Sequence, residues 1–204
     1  MKKIISAVLV VFSLLLLVAC SQQNENTPQT PDNSLSGQAD ETVSNNDVTV
    51  ADDAVFGRFN ATDLNGNHVD ESIFAKNKIT MVNLWGTFCG PCIYEMPFLG
   101  EISKEYADKG VGVVGIVIDM TDNEGNIFEA QHNDALDIVA QTKVEYVNIV
   151  PSKELMERKI SSVFSVPETI FIDSEGKQIG QSYLGARSKA EWKKIIDGLL
   201  GEVE

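Results

Sequence analysis

Ile79-Thr80-Met81-Val82-Asn83-Leu84-Trp85-Gly86-Thr87-Phe88-Cys89-Gly90-Pro91-Cys92 is the stretch on which the reading of this chain turns. Its first seven residues are a mostly apolar, β-branched run with the length of one buried strand. The run breaks at Gly86, and two cysteines three positions apart follow. Pro91–Lys109 then predicts a helix with a kink at Pro97. A cysteine pair therefore sits at the tip of a helix fed by a buried strand. Residues i and i+3 in a first helical turn lie side by side, so two sulfurs there can join without large backbone movement. Unpaired N–H groups and the helix dipole favour negative charge at that end, which favours the thiolate of Cys89, the attacking form. Pro91 suits an early helical position because its missing N–H is not needed. Gly90 leaves space for a substrate backbone.

Working outward, Val55–Thr62 alternates and runs into Asp63-Leu64-Asn65-Gly66-Asn67, which has hairpin-turn chemistry. Val111–Asp119 and Val144–Val150 read as strands. Asn126–Gln141 reads as a helix, and Ser152 caps a short one. Thr169–Asp173 and Lys177–Leu184 form a closing hairpin. Ser188 and Glu191 make a capping box before a helix with Trp192, Ile195, Ile196 and Leu199 on one face. The predicted order is β-β-β-α-β-α-β-α-β-β-α, with a parallel centre and antiparallel ends.

Other chemistry competes for the same residues. A Cys-x-x-Cys pair can be half of a zinc or copper site, but no further cysteine lies in the domain. The histidines, His68 near a turn and His132 on a helix, are expected to be solvated. A purely structural disulfide is a second alternative, although so short a loop stabilises little. Gly110-Val111-Gly112-Val113-Val114-Gly115 satisfies G-x-G-x-x-G, yet it precedes or lies within a strand rather than opening a helix, so it predicts no dinucleotide site. No cofactor or metal is expected.

The N-terminus carries its own signal. Met1–Lys3 is basic and Ile4–Ala19 is almost wholly apolar, the pattern of an export signal. Leu17-Val18-Ala19-Cys20 resembles a bacterial lipobox, which implies cleavage after residue 19 and a diacylglyceryl group on Cys20. A plain signal peptide and an uncleaved anchor remain alternatives. Ser21–Val50 has no aromatic residue, Lys or Arg, and reads as a disordered tether. The expected division is 1–19 signal, 20–51 lipidated cysteine plus tether, and 52–204 folded domain. The whole chain has a net charge of −14. A surface of that sign repels nucleic-acid phosphates and anionic head groups, so attachment to a membrane rests on the lipid.

Asn83-Leu84-Trp85-Gly86-Thr87-Phe88-Cys89-Gly90-Pro91-Cys92, with Glu95-Met96-Pro97 and Val166-Pro167, closely resembles the TlpA/ResA group of membrane-tethered thiol–disulfide oxidoreductases, from about Val55 to Leu200. The resemblance implies an α/β, thioredoxin-like fold: a central mixed β-sheet flanked by helices, with an N-terminal β-hairpin extension and a helical insertion. It implies a cis Pro167 facing the disulfide, with the Val166 backbone open to a substrate strand. Asn83 stands where cytoplasmic thioredoxins have a buried aspartate. Glu95 occupies the position of a glutamate linked to proton handling, although a solvated helix carboxylate is the alternative. Glu168 reads either as a partner-choice residue or as plain surface, and Phe88 as flanking the site.

The expected function is reduction of protein disulfides outside the cytoplasmic membrane. A membrane thiol-transfer protein would be the electron donor, and the protein is expected to be a monomer. A peroxiredoxin-like peroxidase is one alternative, weakened because Gly86 rather than threonine stands three residues before Cys89. A copper- or metal-binding chaperone is the other.

Overall fold

The computed structural model describes residues 50–202. The expected signal segment, Cys20 and the tether up to residue 49 lie outside the described residues.

The central element forms as the run of apolar residues requires: β3, Ile79–Trp85, is buried at every position. On its two sides lie β4 (Val111–Val117), parallel to it, and β6 (Glu168–Asp173), antiparallel. Beyond β4 come β5 (Asn148–Val150), β1 (Asn60–Asp63) and β2 (His68–Asp70). Beyond β6 lies β7 (Gln178–Leu184). The seven strands thus follow the order β2-β1-β5-β4-β3-β6-β7. Two of the neighbouring pairs, β3–β4 and β4–β5, are parallel, and the other four are antiparallel.

Alternation along the strands divides the core between the two faces. On one face Ile79, Met81, Trp85, Val113, Val117 and Phe171 join residues of the helices α2 (Gly90–Glu105), α3 (Glu129–Thr142) and α5 (Lys189–Leu200). On the other, Val82, Leu84, Val114, Ile116 and Ile170 meet Phe56, Phe59 and Phe74, with Leu155 and Met156 of α4 (Lys153–Arg158). Helix α2 buries Cys92, Glu95, Met96, Leu99 and Ile102, a helical stripe laid along the sheet. The Ser188–Glu191 capping box closes in both directions at the start of α5.

Several elements differ from the expectation. The helix predicted to reach Lys109 ends at Glu105, followed by a 3-10 turn at Ala107–Lys109 and a left-handed Gly110. Helix α3 begins at Glu129 rather than Asn126, because the Asp122 carboxylate folds 122–126 into a turn with the Glu124 and Asn126 N–H groups. The alternation of Val144–Val150 reports burial of Val144 and Tyr146, but only Asn148–Val150 pairs as a strand. A single helical turn, α1 (Ser72–Ala75), was not expected; its four residues are too short to carry a period.

The sheet register places one further feature under α2. Asn148, Gly115, Asn83, Thr169 and Tyr183 are successive partners across β5, β4, β3, β6 and β7. This is a row of mostly polar or small residues crossing an otherwise apolar face. The Trp85 indole N–H donates to Asn148 Oδ1 at 2.9 Å. A Cβ on Gly115 would fall 2.1 Å from that same oxygen, so the glycine of the false dinucleotide motif makes room for this hydrogen bond.

Candidate active site

Cys89 ends the loop after β3 as the N-cap of α2, with extended backbone angles. Its N–H donates to Gly86 O at 3.0 Å. The loop is fastened from β4's side: the Thr87 N–H and hydroxyl both donate to the carboxylate of Asp119, the hydroxyl at 2.6 Å. The Phe88 ring lies over Gly86, where a Cβ would be 2.7 Å from it, and is otherwise exposed. Gly90 and Pro91 open the helix, and nothing crowds Gly90.

Cys89 and Cys92 are joined in a disulfide with their Cα atoms 5.3 Å apart. Cys92 is fully buried and Cys89 nearly so. The Cys92 N–H donates to Cys89 Sγ at 3.2 Å. That is an N-cap hydrogen bond with sulfur as acceptor, and it strengthens when the sulfur carries charge.

Glu95, one turn further along α2, is not the solvated carboxylate of the alternative reading; it has no exposure at all. Oε1 accepts from Asn83 Nδ2 at 3.1 Å. Oε2 accepts from the Arg187 main-chain N–H at 3.1 Å and from the Trp192 indole N–H at 3.2 Å. Burial raises its pKa above the ordinary carboxylate value, and these donors oppose the rise without cancelling it. Asn83 also donates to Thr169 Oγ1, while its own Oδ1 is buried without a partner.

The Val166–Pro167 peptide is cis. Pro167 is buried, and Val166 packs against the cluster containing both cysteines. The Pro167 carbonyl accepts from Gly185 N–H at 2.9 Å. Glu168 is buried rather than plain surface, paired with Lys159 at 2.9 Å. His132 is half-buried rather than solvated, its Nε2 donating to Leu64 O at 2.9 Å. His68 is exposed beside Asp70. Among the described residues, no three His, Cys, Asp or Glu side chains cluster as metal ligands.

The family model described as Redoxin matches residues 38–196. The chain belongs to the redoxin family. Relatives of this redoxin include the thiol-disulfide oxidoreductase ResA of Bacillus thuringiensis, 29% identical over 138 residues, covering 68% of this chain and 72% of that protein. The thioredoxin-like protein YneN of Bacillus subtilis is 28% identical over 60% of this chain and 66% of its own length. Among solved structures, a thioredoxin-family thiol:disulfide interchange protein from Chlorobium tepidum superposes with a TM-score of 0.57 at 24% identity, over 70% of this chain and 93% of that one. These likenesses make this redoxin a thiol–disulfide oxidoreductase with the thioredoxin-like fold.

Three residues at this candidate site are not picked out by the sequence reading. Asp119 enters that reading only as the end of a strand. Trp192 enters it as part of an apolar stripe, and Arg187 is not singled out by any local pattern. All three reach the site through tertiary packing, and the one legible hint was Asp119 at the carboxyl end of a parallel strand, where α/β sites gather.

Proposed function

We propose that this redoxin reduces protein disulfides on the outer side of the cytoplasmic membrane, through the Cys89-Gly90-Pro91-Cys92 dithiol, held there by a lipid on Cys20. The observation that carries the proposal is a joined cysteine pair at a helix tip, with the Cys92 N–H aimed at Cys89 Sγ and a buried carboxylate one turn below.

In the reduced enzyme, the Cys89 thiolate attacks one sulfur of the substrate disulfide. A Cys89–substrate bond forms and the other substrate sulfur leaves as a thiolate. Cys92 then loses its proton to Glu95, a base matched to the task because burial raises its affinity for protons. The Cys92 thiolate attacks Cys89 Sγ, the Cys89–substrate bond breaks, and the second substrate sulfur leaves with the electron pair. The substrate gains two electrons, and a membrane dithiol-transfer protein returns two to the enzyme.

The substrate strand pairs with Val166, whose backbone N–H and C=O have no partner among the described residues. Phe164, two residues before Val166 and 89% exposed, and the exposed Phe88 next to Cys89 offer apolar contact to a substrate. The Gly-Pro pair between the cysteines resembles that of reducing thioredoxins. The export signal and lipobox support the location, and a Mycobacterium tuberculosis disulfide oxidoreductase described as secreted shares the fold, with a TM-score of 0.52 at 20% identity. The peroxidase alternative wants threonine in place of Gly86, and a side chain there requires the Phe88 ring to turn away.

Replacing Cys92 by serine in intact cells tests the proposal. Substrates should accumulate as mixed disulfides with Cys89, and the Cys89→Ser, Cys92→Ser double variant should capture none. A Cys92→Ser protein that forms no mixed disulfide would refute it, and a reduction potential well above that of glutathione would reverse the direction to oxidation.

A further inference from the structure

Glu95 receives two of its three hydrogen bonds from one place. The turn between β7 and α5, residues 185–188, supplies the Arg187 main-chain N–H, and α5 supplies the Trp192 indole N–H; both end on Oε2. The turn itself is solvent-exposed at Gly185 and Ala186 and has no apolar anchor of its own. What folds it is the Arg187 side chain. Nη1 donates back to Leu184 O at 3.1 Å and to Gly185 O at 2.8 Å. The guanidinium lies 5.1 Å from the ring centres of both Tyr183 and Trp192. Those two rings meet edge to face, 5.8 Å apart. From the same turn, the Gly185 N–H donates to the carbonyl of Pro167.

The geometry points to Arg187 as a positioning residue: its guanidinium clips the β7–α5 turn so that both N–H donors meet Glu95 and the Pro167 loop is held in the same frame. The inference rests on the reading of Glu95 as the proton acceptor for Cys92. An arginine suits this role for reasons a lysine lacks. One terminal nitrogen of its planar group serves two carbonyls while the delocalised plane lies against two rings, whereas an ammonium is a strongly hydrated point charge with no such face. The donors favour the charged carboxylate, opposing the burial that disfavours it. Without the clip the donors drift, the carboxylate holds its proton to higher pH, and less of it is free to take one from Cys92. Besides Arg187, the titratable group that interacts with Glu95 is the buried Tyr146 phenol ahead of β5, and Cys92 stands one turn before Glu95 on the same helix.

The test compares the full chain, in detergent, with its Arg187→Met variant, which keeps the stem, and its Arg187→Lys variant, which keeps the charge. One readout is the Glu95 carboxyl 13C shift against pH in the oxidised protein. The other is the pH profile of mixed-disulfide resolution with a peptide disulfide as probe. In Arg187→Met the Glu95 midpoint should move to higher pH and resolution at neutral pH should slow on the order of tenfold, a part of what a general base contributes. Arg187→Lys should recover less than half of either change. An Arg187→Met protein with an unmoved midpoint would overturn the assignment. So would full recovery in Arg187→Lys, which would make Arg187 a source of charge and nothing more. If Arg187→Met does not fold, the lysine variant decides alone. A resolution profile indifferent to Glu95→Gln, with the midpoint shift still present, would remove the proton role of Glu95 and leave the clip as architecture only.

Discussion

A carboxylate without solvent is costly unless donors surround it, and Glu95 has three. Its pKa nevertheless stays above the ordinary 4.5 because burial outweighs them. Between 4.5 and the raised value, the native protein holds a proton that the unfolded chain has released, so stability falls as pH rises through that window. Below 4.5 both states are protonated and the native state suffers no penalty. Glu95→Gln removes this dependence. Its amide oxygen can accept from Arg187 and Trp192, and the unpartnered Asn83 Oδ1 can turn to meet its NH2. The Tm of the glutamine variant should therefore gain on that of the wild type as pH rises from 4.5, the other carboxylates cancelling in the difference. Parallel Tm curves would contradict the raised pKa. In turnover the same variant should resolve mixed disulfides on the order of a hundredfold more slowly at neutral pH. How much of this was visible in the residues alone depends on distance along the chain. Glu95 was found because it follows Cys92 by three positions. Arg187 is 92 positions away, and no local pattern joins the two.

At the scale of elements, the strand β3 and helix α2 were readable because their signals are local: a mostly apolar seven-residue run, two cysteines and a proline. The polar row beneath α2 was not readable, because it exists only once five strands are in register. Gly115 is the clearest case, a residue that looks like part of a nucleotide loop and in the fold accommodates Asn148 and Trp85. Gly115→Ala should push Asn148 off the Trp85 indole and cost about 1–3 kcal/mol, the usual range for overpacking a core. Denaturant unfolding followed by tryptophan fluorescence checks this. An unchanged midpoint would mean the row yields more easily than its distances imply. The same logic explains Val144–Tyr146, whose alternation is real but whose neighbours offer no pairing partner beyond Asn148.

At the scale of the whole molecule, we propose that a polar segment and a lipid on Cys20 join the redox domain to a membrane. Cys20→Ala should move the protein from the membrane to the soluble fraction and abolish incorporation of labelled fatty acid, while the isolated domain keeps its disulfide chemistry. Retention of the variant on membranes would point to an uncleaved anchor instead. Net charge bounds partners at this scale too: at −14 the chain offers nucleic acid no counter-charge. The thiol cycle itself is tested most directly by equilibrating the protein in buffers of graded dithiol/disulfide ratio and alkylating it. Cys89 and Cys92 should appear as thiols together, in one reversible two-electron transition, with Cys89 modified before Cys92 in the reduced protein. Thiols that titrate independently, or that stay unreactive after full reduction, would contradict it.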